Sequence, residues 1–205
     1  MKLLLIRHGQ TDWNLSRRFQ GQSDVLLNEI GRKQAKALAK RLSNQSFDFV
    51  YSSDLQRAIE TAKIICSGSE CHSDPHQDPR LREIKFGDWE GLTYNEIQEK
   101  YPGSLATWER DMYSSSPPNG ETLEALAKRT GSFLDDLLKT HKDNTVLIVA
   151  HSGVLQVLIC LALDISPLMY WQFYVSTASL SEISFYPAGA ILNLFNDTSH
   201  LENIP

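Results

Sequence analysis

Two short runs of apolar residues, Lys2 to Ile6 near the start of the chain and Val146 to Ala150 far downstream, constrain the fold more than any other feature. A strand with one wet face alternates apolar and polar side chains. A run that does not alternate is buried on both faces, the habit of a parallel sheet enclosed between helical layers. Each run leads directly into a histidine: Arg7-His8-Gly9 follows the first and His151-Ser152-Gly153 the second. In an open α/β sheet ligands bind beyond the carboxyl ends of the strands, so two strand-end histidines point to one site.

Helical spacing fills the interval. Ile30, Leu38 and Leu42 predict a helix over Glu29 to Leu42, and Ile59, Ala62 and Ile65 another over Gln56 to Cys66, with Phe47 to Tyr51 between them as a third strand. A long amphipathic pattern runs from Glu121 to His141, capped at Asn119 or Thr122, and Gly153 to Leu163 reads as a buried helix. Ala178 to Tyr186 and Ala190 to Phe195 read as a strand pair turning across Pro187, Ala188 and Gly189. Strands alternating with helices predict the α/β class. Tyr101 to Gly120, rich in Ser, Pro and Gly, reads as a loop or irregular insert. No repeat and no long linker divides the chain, so residues 1–205 are expected to form one domain with a loop or helical insert at about 92–121 covering the site.

Composition narrows the ligand. The chain has 20 Lys and Arg against 25 Asp and Glu, a net charge of −5, which argues against general affinity for nucleic acid or an anionic membrane. Any anion must therefore meet a local cluster of positive charge. Leu3 to Ile6 is too short for a secretory core, and Val154 to Leu163, interrupted by Gln156, is too short to span a bilayer. Three sparse cysteines, Cys66, Cys71 and Cys160, suit a reducing compartment, so a cytoplasmic location is expected. Cys66, Cys71, His72 and His76 match no common zinc spacing and Pro75 and Pro79 interrupt the segment, so no metal site is expected.

Two further segments add to the histidines. In Ser52-Ser53-Asp54-Leu55-Gln56-Arg57-Ala58, Arg57 falls in the first turn of a helix, beside free backbone N–H groups that favour an anion. With Arg7 it makes a pair of guanidinium forks, which match phosphate oxygens as lysine cannot. In Leu81-Arg82-Glu83-Ile84-Lys85-Phe86-Gly87-Asp88-Trp89-Glu90-Gly91, a carboxyl walled by Phe86 and Trp89 would have its charged form disfavoured and could serve as a general acid. Glu83, Asp88 and Glu90 all qualify, and Glu83 could instead pair with Arg82.

These four segments, taken together with Thr11 and Asn14, resemble the histidine phosphatase, or phosphoglycerate-mutase-like, superfamily. The match runs from Arg7 to Gly153, and Asn196 to Leu201 resembles the ending of small bacterial members of the α-ribazole phosphatase type. The resemblance implies a three-layer α/β fold, with a mostly parallel mixed sheet and helices on both faces. It implies that His8 is the nucleophile, that Glu83 is the acid–base residue, and that Arg7, Arg57 and His151 hold the phosphate. Asn14, Gln20, Gly21 and Ser152 are carried over as substrate-binding residues. No metal and no cofactor is implied. The implied activity is hydrolysis of small-molecule phosphomonoesters through a phosphohistidine, with α-ribazole 5′-phosphate one candidate substrate. Ser152 and Gln156 stand where that branch commonly has glycine and arginine. Cofactor-dependent phosphoglycerate mutase is the alternative enzyme, and a non-catalytic phospho-ligand binding protein the alternative outside catalysis. The segment Leu92 to Glu121 contains a single arginine, Arg110, where mutases of the family carry a pair to hold a second anion, which favours hydrolysis over mutase activity. The oligomeric state, monomer or homodimer, is not legible.

Overall fold

The computed structural model describes residues 1–71, 74–202 and 204, so His72 lies outside the described residues. In chain order the elements are β1 (Lys2–Arg7), α1 (Asp12–Leu15), α2 (Glu29–Arg41), β2 (Ser46–Phe47), β3 (Phe49–Ser52), α3 (Gln56–Cys66), β4 (Glu70–Cys71) and β5 (His76–Gln77). Then follow α4 (Tyr94–Lys100), α5 (Pro102–Arg110), α6 (Leu123–Thr140), β6 (Thr145–Ala150), α7 (Ser152–Ala162), β7 (Leu180–Tyr186) and β8 (Gly189–Asp197). Six strands form one sheet in the order β5-β3-β6-β1-β7-β8. Pairing is parallel from β5 through β1 and antiparallel at β7 and β8, the mixed and mostly parallel arrangement expected.

The unbroken apolar runs lie at the centre. Arg7 is in register with Ala150, so both strands end at one level and release their histidines side by side. Alternate residues of the runs serve opposite layers. Leu3, Leu5, Ile148 and Ala150 pack with Leu126, Phe133 and Leu137 of α6 and Val154 and Leu158 of α7. Leu4, Ile6, Leu147 and Val149 pack with Leu38 of α2 and Ala58, Ala62 and Ile65 of α3. Both faces are therefore dry, which is why neither run alternates.

Capping sets the helix starts. The Asn28 side chain accepts from Gly31 N–H at 2.8 Å, and the Thr122 side chain accepts from Ala125 N–H, choosing Thr122 over Asn119 as the cap of α6. The loop after β1 lies directly on the first turn of α2: a β-carbon on Gly9 would fall 2.4 Å from the Gly31 carbonyl oxygen. Two glycines permit this approach, which holds the His8 backbone against the helical layer.

One expectation fails and another is sharpened. Phe47 to Tyr51 is not one strand, because Asp48 breaks it: its N–H donates to Thr145 O and its carboxylate accepts from Thr145 N–H. Phe47 turns instead into the small β2–β4 pair. Within the loop or helical insert, α5 occupies Pro102–Arg110, so Tyr101 to Gly120 is part helix and part loop. Pro102 and Gly103 read as helix breakers, yet proline is favoured at a helix's first position, where its missing N–H costs nothing. Leu105 of α5 closes a small core with Trp89 and Ile97. Among the described residues no helix is long and apolar enough to cross a membrane.

Candidate active site

A cleft of about 450 Å³ opens where β1, β6, α1, α3 and α7 meet. Its walls include Arg7, His8, Asn14, Gln20, Gly21, Arg57, Glu83 and Ser152, eight of the nine expected site residues. The ninth, His151, is fully buried and does not line the cleft. Its ring lies against that of His8, with centroids 5.0 Å apart.

The two histidines are fixed in complementary tautomers by their neighbours. His8 Nδ1 is 2.7 Å from Gly9 O, and a carbonyl can only accept, so Nδ1 carries the hydrogen and Nε2 keeps its lone pair. His151 Nδ1 accepts from Arg57 Nε at 3.2 Å, so Nε2 carries the hydrogen. Burial, followed by the neighbouring Arg57 and Arg7 charges, holds His8 well below the ordinary histidine range. Burial and then Arg57 do the same for His151. Both rings are neutral at physiological pH.

Arg57 is buried and anchored. Its Nη1 donates to Ser23 O and its Nη2 to Gly21 O, each at 2.7 Å. Burial lowers it to about 10, leaving it charged at neutral pH. Arg7 donates from Nη1 to Val175 O at 2.7 Å, and burial lowers it too. Buried polar atoms here lack protein partners: Arg7 Nε and His151 Nε2 are both donors without an acceptor among the described residues. A buried donor without an acceptor is costly, so two on one site signal an anion. Asn14 adds another donor. Its Oδ1 accepts from Thr11 N–H at 3.0 Å within the capping box of α1, which leaves its amide N–H groups for the cleft.

The three candidate carboxyls separate cleanly. Asp88 is bound to the Asn119 amide, and Glu90 accepts from Gln22 N–H, Phe86 N–H and the Ser23 hydroxyl, so neither lines the cleft. Glu83 does line it, accepting from Ile84 N–H at 3.0 Å and Gly153 N–H at 3.2 Å. Gly153 leaves the carboxylate its place, since a β-carbon there would sit 2.6 Å from Glu83 Oε1 and push that side chain aside. Nor is Glu83 the partner of Arg82, which grips Asp54 through two short bonds of 2.7 and 2.5 Å.

Several residues escape motif reading. Glu90 braces residues 22 and 23, and with them the loop whose carbonyls seat Arg57. Arg129 of α6 donates to the carbonyls of Arg80, Arg82 and Glu83 and so fixes the backbone carrying Glu83. Tyr170 and Tyr174 line the cleft from the segment after α7, which carries no recognisable signature.

The family model for the histidine phosphatase superfamily (branch 1) matches residues 3–198. The chain belongs to the histidine phosphatase superfamily. Among its relatives, phosphoserine phosphatase 1 of Hydrogenobacter thermophilus is 33% identical over 201 residues, covering 98% of this chain and 94% of that one. The metal-independent phosphoserine phosphatase of Arabidopsis thaliana is 34% identical over 209 residues, covering 99% of this chain and 84% of that one. The crystal structure of the α-ribazole phosphatase from Shigella flexneri superposes with a TM-score of 0.90 at 32% identity, covering 96% of each chain. The histidine phosphatase fold and the chemistry of phosphoric monoester hydrolases are thus common ground between this chain and its relatives.

Proposed function

We propose that the chain is a cytoplasmic, metal-independent phosphomonoesterase for small molecules, working through a phosphohistidine on His8. The observation that carries this reading is the buried convergence of neutral His8 with Arg7, Arg57 and His151, in which two donors await an anion. The His8 Nε2 lone pair attacks phosphorus; the N–P bond forms as the ester P–O bond breaks. Arg7, Arg57 and the His151 Nε2 hydrogen meet the charge spread over the equatorial oxygens, and Asn14 adds a donor. Glu83 in its acid form gives its proton to the departing alkoxide. The resulting carboxylate then takes a proton from water as the O–P bond forms and the N–P bond breaks, restoring His8 and releasing phosphate.

A general acid contributes about 10²–10⁴-fold, whereas monoester hydrolysis can need acceleration approaching ~10²¹-fold, so positioning and the cationic clamp supply most of the effect. Gln20 and Gly21 take part through the loop they share: Gly21 O seats Arg57, and the Gln20 carbonyl oxygen of the side chain accepts from the Thr11 hydroxyl at 2.9 Å. Ser152 and the helical insert at 92–121, which contributes Trp108 to the cleft, border the leaving group.

After exhaustive treatment with EDTA, the protein should still release inorganic phosphate from a panel of p-nitrophenyl phosphate, 3-phosphoglycerate, phosphoserine and α-ribazole 5′-phosphate. Activity that disappears and returns with Zn²⁺ or Mg²⁺ would contradict the reading. With 3-phosphoglycerate and 2,3-bisphosphoglycerate supplied together, phosphate should appear faster than 2-phosphoglycerate; the reverse would favour a mutase. Glu83→Gln should slow esters of poor alkoxide leaving groups about 10²-fold or more, and p-nitrophenyl phosphate far less, because a good leaving group departs without the proton. Asp88→Asn, already outside the cleft, should show no such contrast; if it does, the acid is misassigned.

A further inference from the structure

The four arginines lining the cleft are differently employed. Arg7 and Arg57 lie at the His8 end, tied to backbone carbonyls. Arg18 spends its Nη1 on Gly91 O at 2.6 Å and Glu96 Oε2 at 2.7 Å. Arg17, exposed and also lining the cleft, makes no side-chain hydrogen bond or ion pair among the described residues.

The backbone makes this arginine more telling. Arg17 has φ +55°, the left-handed region, and closes α1 in a two-bond turn: Arg17 N–H donates to Asn14 O at 3.2 Å and Arg18 N–H to Trp13 O at 2.9 Å. That is the Schellman arrangement, in which the left-handed residue is ordinarily glycine, and any other L-residue costs about 1–2 kcal/mol there. A long cationic side chain at a position suited to glycine, directed by the turn to a cleft wall and left without an internal partner, is a local cost for which the fold shows no return. Such outliers gather where a ligand makes use of them. The charge is also uncompensated locally: Glu83, engaged with the Gly153 and Ile84 N–H groups, is the one carboxylate among the residues lining the cleft.

We propose that Arg17 binds a second anionic group of the substrate, a carboxylate or a second phosphate, and so selects small phosphomonoesters that carry one. This rests on the phosphomonoesterase reading and deepens it. The ester phosphate occupies the buried end against His8 and Arg57, while the planar fork of Arg17 takes the second anion at the open end. The cation comes from the turn after α1 and not from the insert, whose one residue on the cleft wall, Trp108, is uncharged. The preferred substrate is then a small molecule with two separate anionic groups, whereas α-ribazole 5′-phosphate has only its phosphate.

The test compares substrates matched in everything but the second group. 3-Phosphoglycerate against glycerol 3-phosphate isolates a carboxylate; fructose 1,6-bisphosphate against fructose 6-phosphate isolates a second phosphate. The native protein should favour the member with two anionic groups in at least one pair. Arg17→Gly should lower that preference in kcat/KM about tenfold, equivalent to about 1.4 kcal/mol, with the change in KM and not in kcat. Which pair loses its preference tells carboxylate from phosphate. Arg17→Asn, neutral and tolerant of the same backbone, should reproduce the loss, and Arg17→Lys should keep most of the preference. The thermal midpoint of Arg17→Gly should equal or exceed that of the native protein, because glycine suits the turn. Equal loss on both members of each pair, or no loss, would overturn the proposal while leaving the phosphatase reading standing. Absence of hydrolysis of all four esters while p-nitrophenyl phosphate is still hydrolysed would overturn the proposal alone; absence of hydrolysis of p-nitrophenyl phosphate as well would overturn both.

Discussion

Replacing His8 by alanine should lower the turnover of every phosphomonoester by at least about 10⁴-fold, the range in which deletion of a catalytic nucleophile falls. No other group on the cleft wall has the same standing. His8 Nε2 is the one imidazole nitrogen there whose lone pair is left free by its neighbour's hydrogen bond, and the ring is kept neutral by burial and by two guanidinium groups. His151 cannot substitute, since its Nδ1 accepts from Arg57 and its Nε2 carries the hydrogen. The fold should survive, because among the described residues His8 makes a single side-chain hydrogen bond, to the carbonyl of the next residue. Far-ultraviolet circular dichroism and a thermal midpoint near that of the native protein would establish this. Residual turnover within about tenfold of native would remove His8 from the nucleophile's role.

Arg57→Ala should be nearly as damaging, lowering kcat/KM by about 10³-fold or more, the scale on which loss of a transition-state arginine acts in phosphoryl transfer. This change also acts through structure. Arg57 seats the carbonyls of Gly21 and Ser23 and the His151 Nδ1, and removing it strands buried acceptors at a cost of about 1–3 kcal/mol each. Denaturant unfolding should therefore report lost stability, and the kinetics must be read well below the variant's transition. A pH profile separates chemistry from mere loosening. After burial, the Arg57 charge is the largest influence holding His8 low, so its removal lets the His8 pKa climb toward its ordinary value. His8 must be neutral to attack, so the acidic limb of kcat/KM should move to higher pH in the residual activity. A limb that stays in place, or moves to lower pH, would show that Arg57 does not act on His8.

The sheet was legible because its central strands carry their burial in composition: a run such as Leu3-Leu4-Leu5-Ile6 has no wet face to offer, and its register partner Val146 to Ala150 has none either. The four motifs were legible because strand ends and helix starts leave the same backbone groups open in any α/β sheet, and His8, Arg57 and His151 sit on them. Choosing Glu83 over Asp88 and Glu90 depended on resemblance alone, since all three share one short segment. Only the structure shows Asp88 held by Asn119 and Glu90 held by residues 22, 23 and 86. The helix at Pro102–Arg110 was not placed within the insert because Pro102 signals a break in a helix interior and a start at its first turn, and the sequence does not say which applies. Arg129 and Arg17 were missed for different reasons. Arg129 acts from α6 on the carbonyls of Arg80, Arg82 and Glu83, a contact with no local pattern. Arg17 sits where a turn demands a left-handed residue, and nothing in the adjoining residues marks it as one that glycine would ordinarily fill.

The central claim is that the phosphoryl group passes through His8. Rapid mixing with a ³²P-labelled monoester, followed by quenching at alkaline pH and peptide mapping, measures this directly. The account predicts a label that is stable to base and labile to acid, located on the peptide containing His8, and absent from the His8→Ala variant. Label on a carboxylate, on a different residue, or retained in His8→Ala would contradict it.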